Sequence, residues 1–199
     1  ISIFEMAKEH KAKKKSQQVG IYKHLMAGVY LMMPFTIAGG IMIALCFMFG
    51  INAGNPSDPS YNVIAGAFNT IGGDVAFGLM IPVLAAGIAN SIAGKQGIVS
   101  GAVCGMLAKT LGSGFLGGVV GGLFAGYLTA FLIKTIKLPK AIRSMEDLII
   151  IPLLSVFISG FMMIFVIGTP VKMMLDALTN FLNSLGTTNG LVFGALVGA

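Results

Sequence analysis

Few side chains in this sequence could do chemistry, and the two best candidates lie beside apolar runs. His24 follows Lys23 immediately before residues 25–51, an uncharged run of 27 residues. An imidazole at such a boundary could carry protons or accept a phosphoryl group, or it could anchor the chain among charged headgroups. Asn90 lies beside Ser91 near the end of a later apolar run. Its amide could bond the hydroxyl of a solute such as a sugar, or a neighbouring helix, so His24 and Asn90 are our candidate substrate-binding residues.

Other kinds of chemical machinery are missing from the sequence. No Asp or Glu lies deep within an apolar run, whereas carriers driven by protons or sodium usually place one there. We find no Walker-type glycine loop, no catalytic triad and no metal-ligand spacing. Cys46 and Cys104 both fall within apolar runs, which favours small buried hydrophobic side chains over a disulfide or metal site. We therefore expect no catalytic residue, metal or cofactor in this chain.

The composition is that of an integral membrane protein. Hydrophobic residues make up 56% of the chain and charged residues 10%, with a mean hydropathy of +0.91, whereas a soluble domain is roughly 25% charged. The net charge of +6 comes from short basic segments between apolar runs. Such segments suit an anionic inner leaflet, so we expect membrane lipid and no nucleic acid among the partners.

The apolar runs predict an all-α fold, a polytopic transmembrane helical bundle. At about 1.5 Å per residue, roughly 20 residues cross the ~30 Å hydrocarbon layer. The third predicted crossing, residues 97–112, is short, so it either spans the membrane fully or dips in and returns. Asp74 is the expected N-cap of the second crossing, residues 75–93. We predict about five crossings, at residues 25–51, 75–93, 97–112, 113–133 and 148–168. An amphipathic helix along the outer interface follows at 171–185, and a further span starts at 189.

Basic residues give this bundle an orientation. Eleven of them lie in the N-terminal tail, at Lys95 and in the 134–143 loop, while only Lys109 and Lys172 fall on the opposite side. Because Lys and Arg gather on the cytoplasmic side of membranes, the N-terminus is predicted to be cytoplasmic.

Glycines at four-residue spacing predict close helix packing. Lipid supplies no hydrophobic effect between helices, so tight contact needs side chains small enough for backbones to meet. Static packing is one interpretation, and a sliding surface used in transport is the other. Pro34, Pro82 and Pro152 add expected helix kinks. The predicted packing residues are Gly114, Gly118, Gly122 and Gly126, then Gly97, Gly101 and Gly105, with Thr36, Gly40 and Ala44 as a third set.

Short strings in a fixed order carry a family resemblance over residues 19–199. The chain resembles the fructose-family IIC membrane domain of the bacterial phosphoenolpyruvate-dependent sugar phosphotransferase system. Each string is weak alone, and their order is specific. The strings are Ile21-Tyr22-Lys23-His24-Leu25-Met26-Ala27-Gly28-Val29, Met33-Pro34-Phe35, Ala38-Gly39-Gly40, Ile81-Pro82-Val83-Leu84-Ala85, Ala89-Asn90-Ser91-Ile92-Ala93, Gly114-Phe115-Leu116-Gly117-Gly118, Gly126-Tyr127, Ile151-Pro152-Leu153-Leu154, and Phe165-Val166-Ile167-Gly168-Thr169-Pro170.

The resemblance implies a sugar permease of the bacterial inner membrane. Such a domain binds a fructose-like hexose outside and carries it inward, where IIB phosphorylates it from a phosphocysteine supplied by a phosphohistidine on IIA. The chain would then be part of a protein-Npi-phosphohistidine sugar phosphotransferase, with the phosphoryl-transfer residues elsewhere. The resemblance also implies a homodimer, in which the N-terminal spans form the scaffold and much of the dimer contact.

The resemblance also sets boundaries and leaves alternatives open. Residues 1–18 resemble the cytoplasmic linker that joins IIB to IIC, and 19–199 the N-terminal part of IIC. The family's sugar-contacting patterns, Asp-x-Gly-Gly-Pro-x-Asn-Lys and Gly-Ile-Thr-Glu, are expected just past Ala199. Gly87 and Asn90 stand where relatives often have tyrosine, so the sugar need not be fructose. An ion- or proton-coupled carrier and a non-transport membrane scaffold remain the other hypotheses.

Overall fold

The computed structural model describes residues 20–136 and 149–188, with side chains as far as residue 184. Every regular element in these ranges is a helix, which confirms the all-α prediction. The predicted 1–18 linker, most of the 134–143 basic loop and the apolar segment from 189 lie outside the described residues. The helices are α1 Ile21–Phe47, α2 Val63–Ala93, α3 Lys95–Thr110, α4 Gly114–Thr135, α5 Ile151–Met162 and α6 Gly168–Thr188.

Four helical segments in the described part of the chain are long and apolar enough to cross a membrane: Ile21–Phe47, Val63–Ala93, Gly114–Thr135 and Ile151–Ser184. They support the prediction of a polytopic bundle.

The third predicted crossing, 97–112, corresponds to α3, a continuous helix of 16 residues, or about 24 Å. Successive glycines of α3 meet successively earlier residues of α2, from Ala89 to Pro82. The two helices are therefore antiparallel, and α3 runs back along α2 without the internal turn that a re-entrant segment needs.

Helix α2 begins at Val63, well before the start that the sequence predicts. Its N-cap is Asn62, whose side-chain oxygen accepts a hydrogen bond from the Ile64 amide at 2.9 Å. The predicted cap, Asp74, lies instead inside a π-helical segment, Thr70–Ala76. The prediction was wrong because the glycines before Asp74 do not break the helix. A Cβ on Gly72 would lie 2.7 Å from a carbonyl oxygen of α1, so this stretch is held closely against α1.

Helices α5 and α6 are continuous through a second π-helical segment, Met163–Ile167. The sequence predicts a break near residues 168–170, followed by a separate interfacial helix, and this prediction was wrong. Pro170 has no N–H for the carbonyl of Val166. That carbonyl lies within the π-helical segment, where the wider hydrogen-bonding pattern accommodates the proline. The amphipathic stretch therefore extends the fifth crossing instead of leaving it.

The centre of the bundle is the C-terminal half of α2, where Leu84, Ala85, Ile88 and Ala89 have no exposed surface. In its most apolar stretch, α1 has only 11% of its residues buried, against 39% for α2 and 44% for α4. Helix α1 therefore lies at the periphery of the described bundle, and the other described helices leave most of its surface uncovered.

Candidate functional site

Helices α2 and α3 meet backbone to backbone. A Cβ placed on Gly97 would lie 2.6 Å from the Ala89 carbonyl oxygen, and one on Gly101 would lie 2.6 Å from that of Ala85. On Gly105 it would lie 2.6 Å from the Cα of Pro82. Real Cβ atoms do not approach backbone this closely, so a side chain at any of these positions would force the helices apart.

Helix α4 also packs its glycines against the backbone of α2, on another side of that helix. A Cβ on Gly122 would lie 2.8 Å from the Cα of Ala85, and one on Gly126 would lie 3.0 Å from that of Ala89. Gly118 faces the Ile81 side chain. The structure therefore places α2 between two glycine faces, one from α3 and one from α4.

Two predicted packing positions lie apart from these faces. Gly114 has a φ of +56° at the start of α4, and only Leu175 comes within 4 Å of its Cβ position. Its conformation, which L side chains rarely adopt, serves the turn into α4. Gly40 has nothing within 4 Å among the described residues, so the set of Thr36, Gly40 and Ala44 has no close contact at its central glycine. Helix α1 uses Gly39 and Gly28 instead.

His24 lies in a small polar cluster at the predicted cytoplasmic end of three helices. Its Nδ1 is 2.8 Å from the hydroxyl oxygen of Ser91, which joins α1 to α2. The imidazole also stands edge-on to the Tyr127 ring of α4, with centroids 6.4 Å apart and planes at 80°. Each of the three helices thus contributes one residue, and the half-buried imidazole connects all three.

The structure does not bring Asn90 into this cluster. Its side chain is exposed and makes no hydrogen bond to any residue that the structure describes. Its backbone carbonyl accepts a hydrogen bond from the Gly94 amide at 2.9 Å, where α2 ends. Of the two candidate residues, His24 is integrated into the bundle and Asn90 faces outward.

The described residues contain no group of three or more His, Cys, Asp or Glu side chains that could hold a metal ion. Cys46 and Cys104 are both free and buried, and they belong to separate apolar clusters. The described residues form a closely packed helical bundle with a polar cluster at the end where His24 lies.

Comparison with known proteins identifies the family. Residues 26–199 match the family described as "Phosphotransferase system, EIIC". The chain belongs to this family.

The relatives of this IIC chain carry fructose in their names. It is 50% identical over 188 residues to the "PTS system fructose-specific EIIB'BC component" of Rhodobacter capsulatus, covering 94% of this chain and 32% of the relative. It is 49% identical over 184 residues to the protein of the same name from Escherichia coli K12, covering 92% and 32%. A "PTS system fructose-specific EIIABC component" of Bacillus subtilis is 44% identical over 178 residues, covering 89% and 28%.

The IIC chain spans about a third of the length of these curated relatives. No solved structure has significant similarity to it.

A buried chain of hydroxyl groups joins α3, α4 and α5 in this IIC bundle, and the sequence reasoning missed it. Thr129 donates to the Ala125 carbonyl at 2.7 Å, its oxygen is 3.0 Å from the Ser100 hydroxyl, and it also contacts the Ser155 hydroxyl. Ser159 donates to the Ser155 carbonyl at 2.6 Å. The four hydroxyl side chains are fully buried. The Thr129 hydroxyl donates to its own helix, and the Ser100 hydroxyl also donates to the Gly97 carbonyl at 3.1 Å. The Thr129 oxygen nevertheless contacts a hydroxyl of α3 and a hydroxyl of α5, so one residue links three helices.

One signal in the sequence could have pointed to this network. Ser155 and Ser159 are four residues apart inside an apolar run, and therefore share one helix face. In lipid, a polar face of this kind needs partners on a neighbouring helix. Ser100 and Thr129 supply them, but nothing in the spacing shows which helices meet.

Proposed function

We propose that this IIC chain is the N-terminal scaffold of a permease that imports a fructose-like sugar and couples the import to phosphorylation of that sugar by IIB. The observation that carries the proposal is the family match over residues 26–199. The relatives' names add fructose as the substrate class. Residues 1–18 act as the linker to IIB, and IIA supplies IIB with its phosphoryl group.

The scaffold role is supported by the packing of α2. Its buried half contacts glycines of α3 and α4 at backbone distance, and tightly interdigitated interiors resist deformation. No Asp, Glu, Lys or Arg among the described residues is buried, so this part of the chain offers no charged group for ion coupling. In this proposal the transport site and the moving parts of the permease lie outside residues 19–199.

The N-terminus faces the cytoplasm of a bacterial cell in this proposal. Lys23 lies at the start of α1, Lys95 at the start of α3 and Lys134 in the last turn of α4, so one end of the bundle collects these cations. Basic residues at one end favour the cytoplasmic side of the inner membrane.

We also propose that the permease is a homodimer and that α1 forms much of the contact. One face of α1 is apolar and exposed, including Met33, Ile37 and Ile41, whose exposed fractions are 44%, 61% and 54%. Gly40 lies on this face with open space in front of it. A small residue between larger ones allows close approach of a second helix.

The proposed function is tested with membrane vesicles that carry the full-length protein. We expect phosphoenolpyruvate and the general phosphotransferase proteins to produce sugar phosphate from fructose or a close relative, and no product without phosphoenolpyruvate. A panel of hexoses then identifies the preferred sugar and the position phosphorylated. Failure of every hexose in a preparation whose general proteins phosphorylate a control permease would contradict the proposal.

A further inference from the structure

A groove of about 520 Å³ opens at the end of the bundle opposite His24. One wall is the segment before α2, including Gly54, Pro56 and Tyr61, and the other is the first part of α2. Its volume lies in the range of small-molecule sites, roughly 300–1,000 Å³. A hexose would occupy part of it.

The walls of the groove are fixed by the fold. The Asn62 amide donates to the Ala53 carbonyl at 2.9 Å, and Ala53 is fully buried in a cluster with Cys46 and Ala65. The two walls also touch directly, since a Cβ on Gly54 would lie 3.0 Å from the Cβ of Asn69 in α2. The groove is therefore formed before any ligand arrives.

Three polar side chains in the groove have no hydrogen-bond partner among the described residues. The side chains of Asn69, Thr70 and Asp74 line it and make no hydrogen bond to any residue in the described ranges. The nearby Asp58, outside the groove, differs, because hydrogen bonds from Ser60 lower the pKa of its carboxyl group. The groove thus presents an amide, a hydroxyl and a carboxylate beside a tyrosine ring.

A π-helical segment presents two of these groups. Thr70 and Asp74 lie in Thr70–Ala76, and π-helical turns inside α-helices are frequent at functional sites. A Cβ on Gly73 would lie 3.5 Å from the Asn69 amide oxygen, which places that amide beside the segment.

We propose that this groove binds the unphosphorylated sugar on the outer side of the membrane, before the sugar reaches the transport site. Amide, hydroxyl and carboxylate groups suit the alternating donors and acceptors of a polyol. No Lys, Arg or His lines the groove, so the Asp74 carboxylate disfavours a sugar phosphate. The proposal rests on the proposed function, which sets both the substrate class and the outward orientation.

The test labels cysteine variants of the full-length protein in intact cells with a membrane-impermeant maleimide. Thr70→Cys probes the groove, and Ser57→Cys, in the segment before α2 but outside the groove lining, is the control. Cys46 and Cys104 are buried, so they contribute little background. We expect both variants to be labelled from outside, and the transported sugar to slow labelling of Thr70→Cys several-fold without affecting Ser57→Cys.

Kinetics provide a second measurement that does not depend on cysteine chemistry. Asp74→Asn and Thr70→Val keep the size of each side chain. The first replaces one carboxylate oxygen with an amide NH2 group and the second removes a hydroxyl, and losing one such hydrogen bond costs about two- to tenfold in affinity. We expect each to raise the KM for uptake by that factor with kcat unchanged, and Ser57→Ala to change neither.

The outcomes separate the two proposals. If no hexose is imported by the wild-type protein, the proposed function fails. If Ser57→Cys is not labelled from outside, the orientation fails. If import proceeds and Ser57→Cys is labelled, but Thr70→Cys is unlabelled or is not protected by sugar, or KM stays unchanged in both isosteric variants, the groove is no sugar site and this inference is overturned.

Discussion

At the residue scale, Thr129 carries the largest share of polar bonding in the described core. Its hydroxyl donates to the Ala125 carbonyl of its own helix and contacts the hydroxyl groups of Ser100 in α3 and Ser155 in α5. Hydrogen bonds between helices in membranes contribute about 0.6 kcal/mol on average and up to about 1.7. One fully buried residue therefore links α4 to two neighbours.

We expect Thr129→Val to lower the free energy of unfolding by roughly 1–2 kcal/mol, because it keeps the shape and removes the hydroxyl that the buried Ser100 and Ser155 hydroxyls both contact. The measurement is denaturant unfolding of the protein in detergent micelles. Thr135→Val is the matched control, since the exposed Thr135 hydroxyl bonds only the Phe131 carbonyl of its own helix. Equal stability of the two variants would contradict a structural role for the hydroxyl chain.

The environment of His24 in the structure differs from the one that its neighbours in the sequence predict. Beside Lys23 it could be a headgroup anchor or a phosphoryl acceptor. The structure instead commits Nδ1 to Ser91 and sets the ring against Tyr127. The nearer of these partners is 67 positions away in the chain, and local sequence carries no record of the pairing.

At the element scale, the glycine faces of α3 and α4 determine how closely helices approach α2. The sequence predicts them well, because close packing in lipid requires small residues at regular spacing and the spacing is visible in the chain. It does not show which glycines meet a neighbour, and Gly40 continues the pattern where the described chain offers no neighbour.

The same substitution at two glycines is expected to have opposite effects. Gly122→Ala puts a Cβ 2.8 Å from the Cα of Ala85, so helix backbones must shift, at about 1–3 kcal/mol. Gly40→Ala meets nothing within 4 Å and improves helix propensity by up to about 1 kcal/mol. Thermal unfolding in detergent at a protein concentration that keeps the chain monomeric measures both. Loss of stability in Gly40→Ala, or none in Gly122→Ala, would show that the two faces have been assigned wrongly.

The start of α2 shows why element ends are hard to predict. Asp74 follows two glycines and precedes the apolar run that begins at Val75, which is a good N-terminal pattern. Asn62 is an equally good cap further upstream, and contacts with α1 decide between them. The π-helical segments are equally hard to predict. Thr70–Ala76 packs closely against α1, and Met163–Ile167 accommodates Pro170, and no periodicity in the sequence indicates either one.

Substitutions at Asn62 and Asp74 distinguish the two possible N-caps of α2. Asn62→Ala removes the acceptor for the Ile64 amide, so we expect a loss of about 1 kcal/mol in unfolding free energy. Asp74→Asn should leave stability nearly unchanged, because Asp74 caps no helix. Circular dichroism during chemical unfolding measures both, and a larger loss in Asp74→Asn than in Asn62→Ala would support a helix that begins near residue 75.

At the scale of the whole molecule, the bundle is densely packed on one side and open on the other. Helix α2 is enclosed by α1, α3 and α4, while α1 keeps a long apolar face uncovered. Exposed apolar surface is ordinary in lipid, so the feature that supports the proposed dimer is Gly40, a small residue among larger ones with no described residue in front of it.

We expect Ile37→Cys in the full-length protein to cross-link to a second copy across this face in membranes under mild oxidation. Phe131→Cys, also apolar and exposed but on α4, is the control and should remain monomeric on gels. Cross-linking of Phe131→Cys with none of Ile37→Cys would place the dimer contact on a different surface.

The central claim is that this chain is the scaffold of a permease driven by phosphorylation and not by an ion gradient. Right-side-out vesicles that carry the full-length protein, loaded with phosphoenolpyruvate and the general phosphotransferase proteins, test it most directly. With labelled sugar outside, we predict that the label accumulates inside as sugar phosphate and that a protonophore with a sodium ionophore leaves the rate unchanged. Accumulation of free sugar that collapses when the ionophores are added would contradict the account.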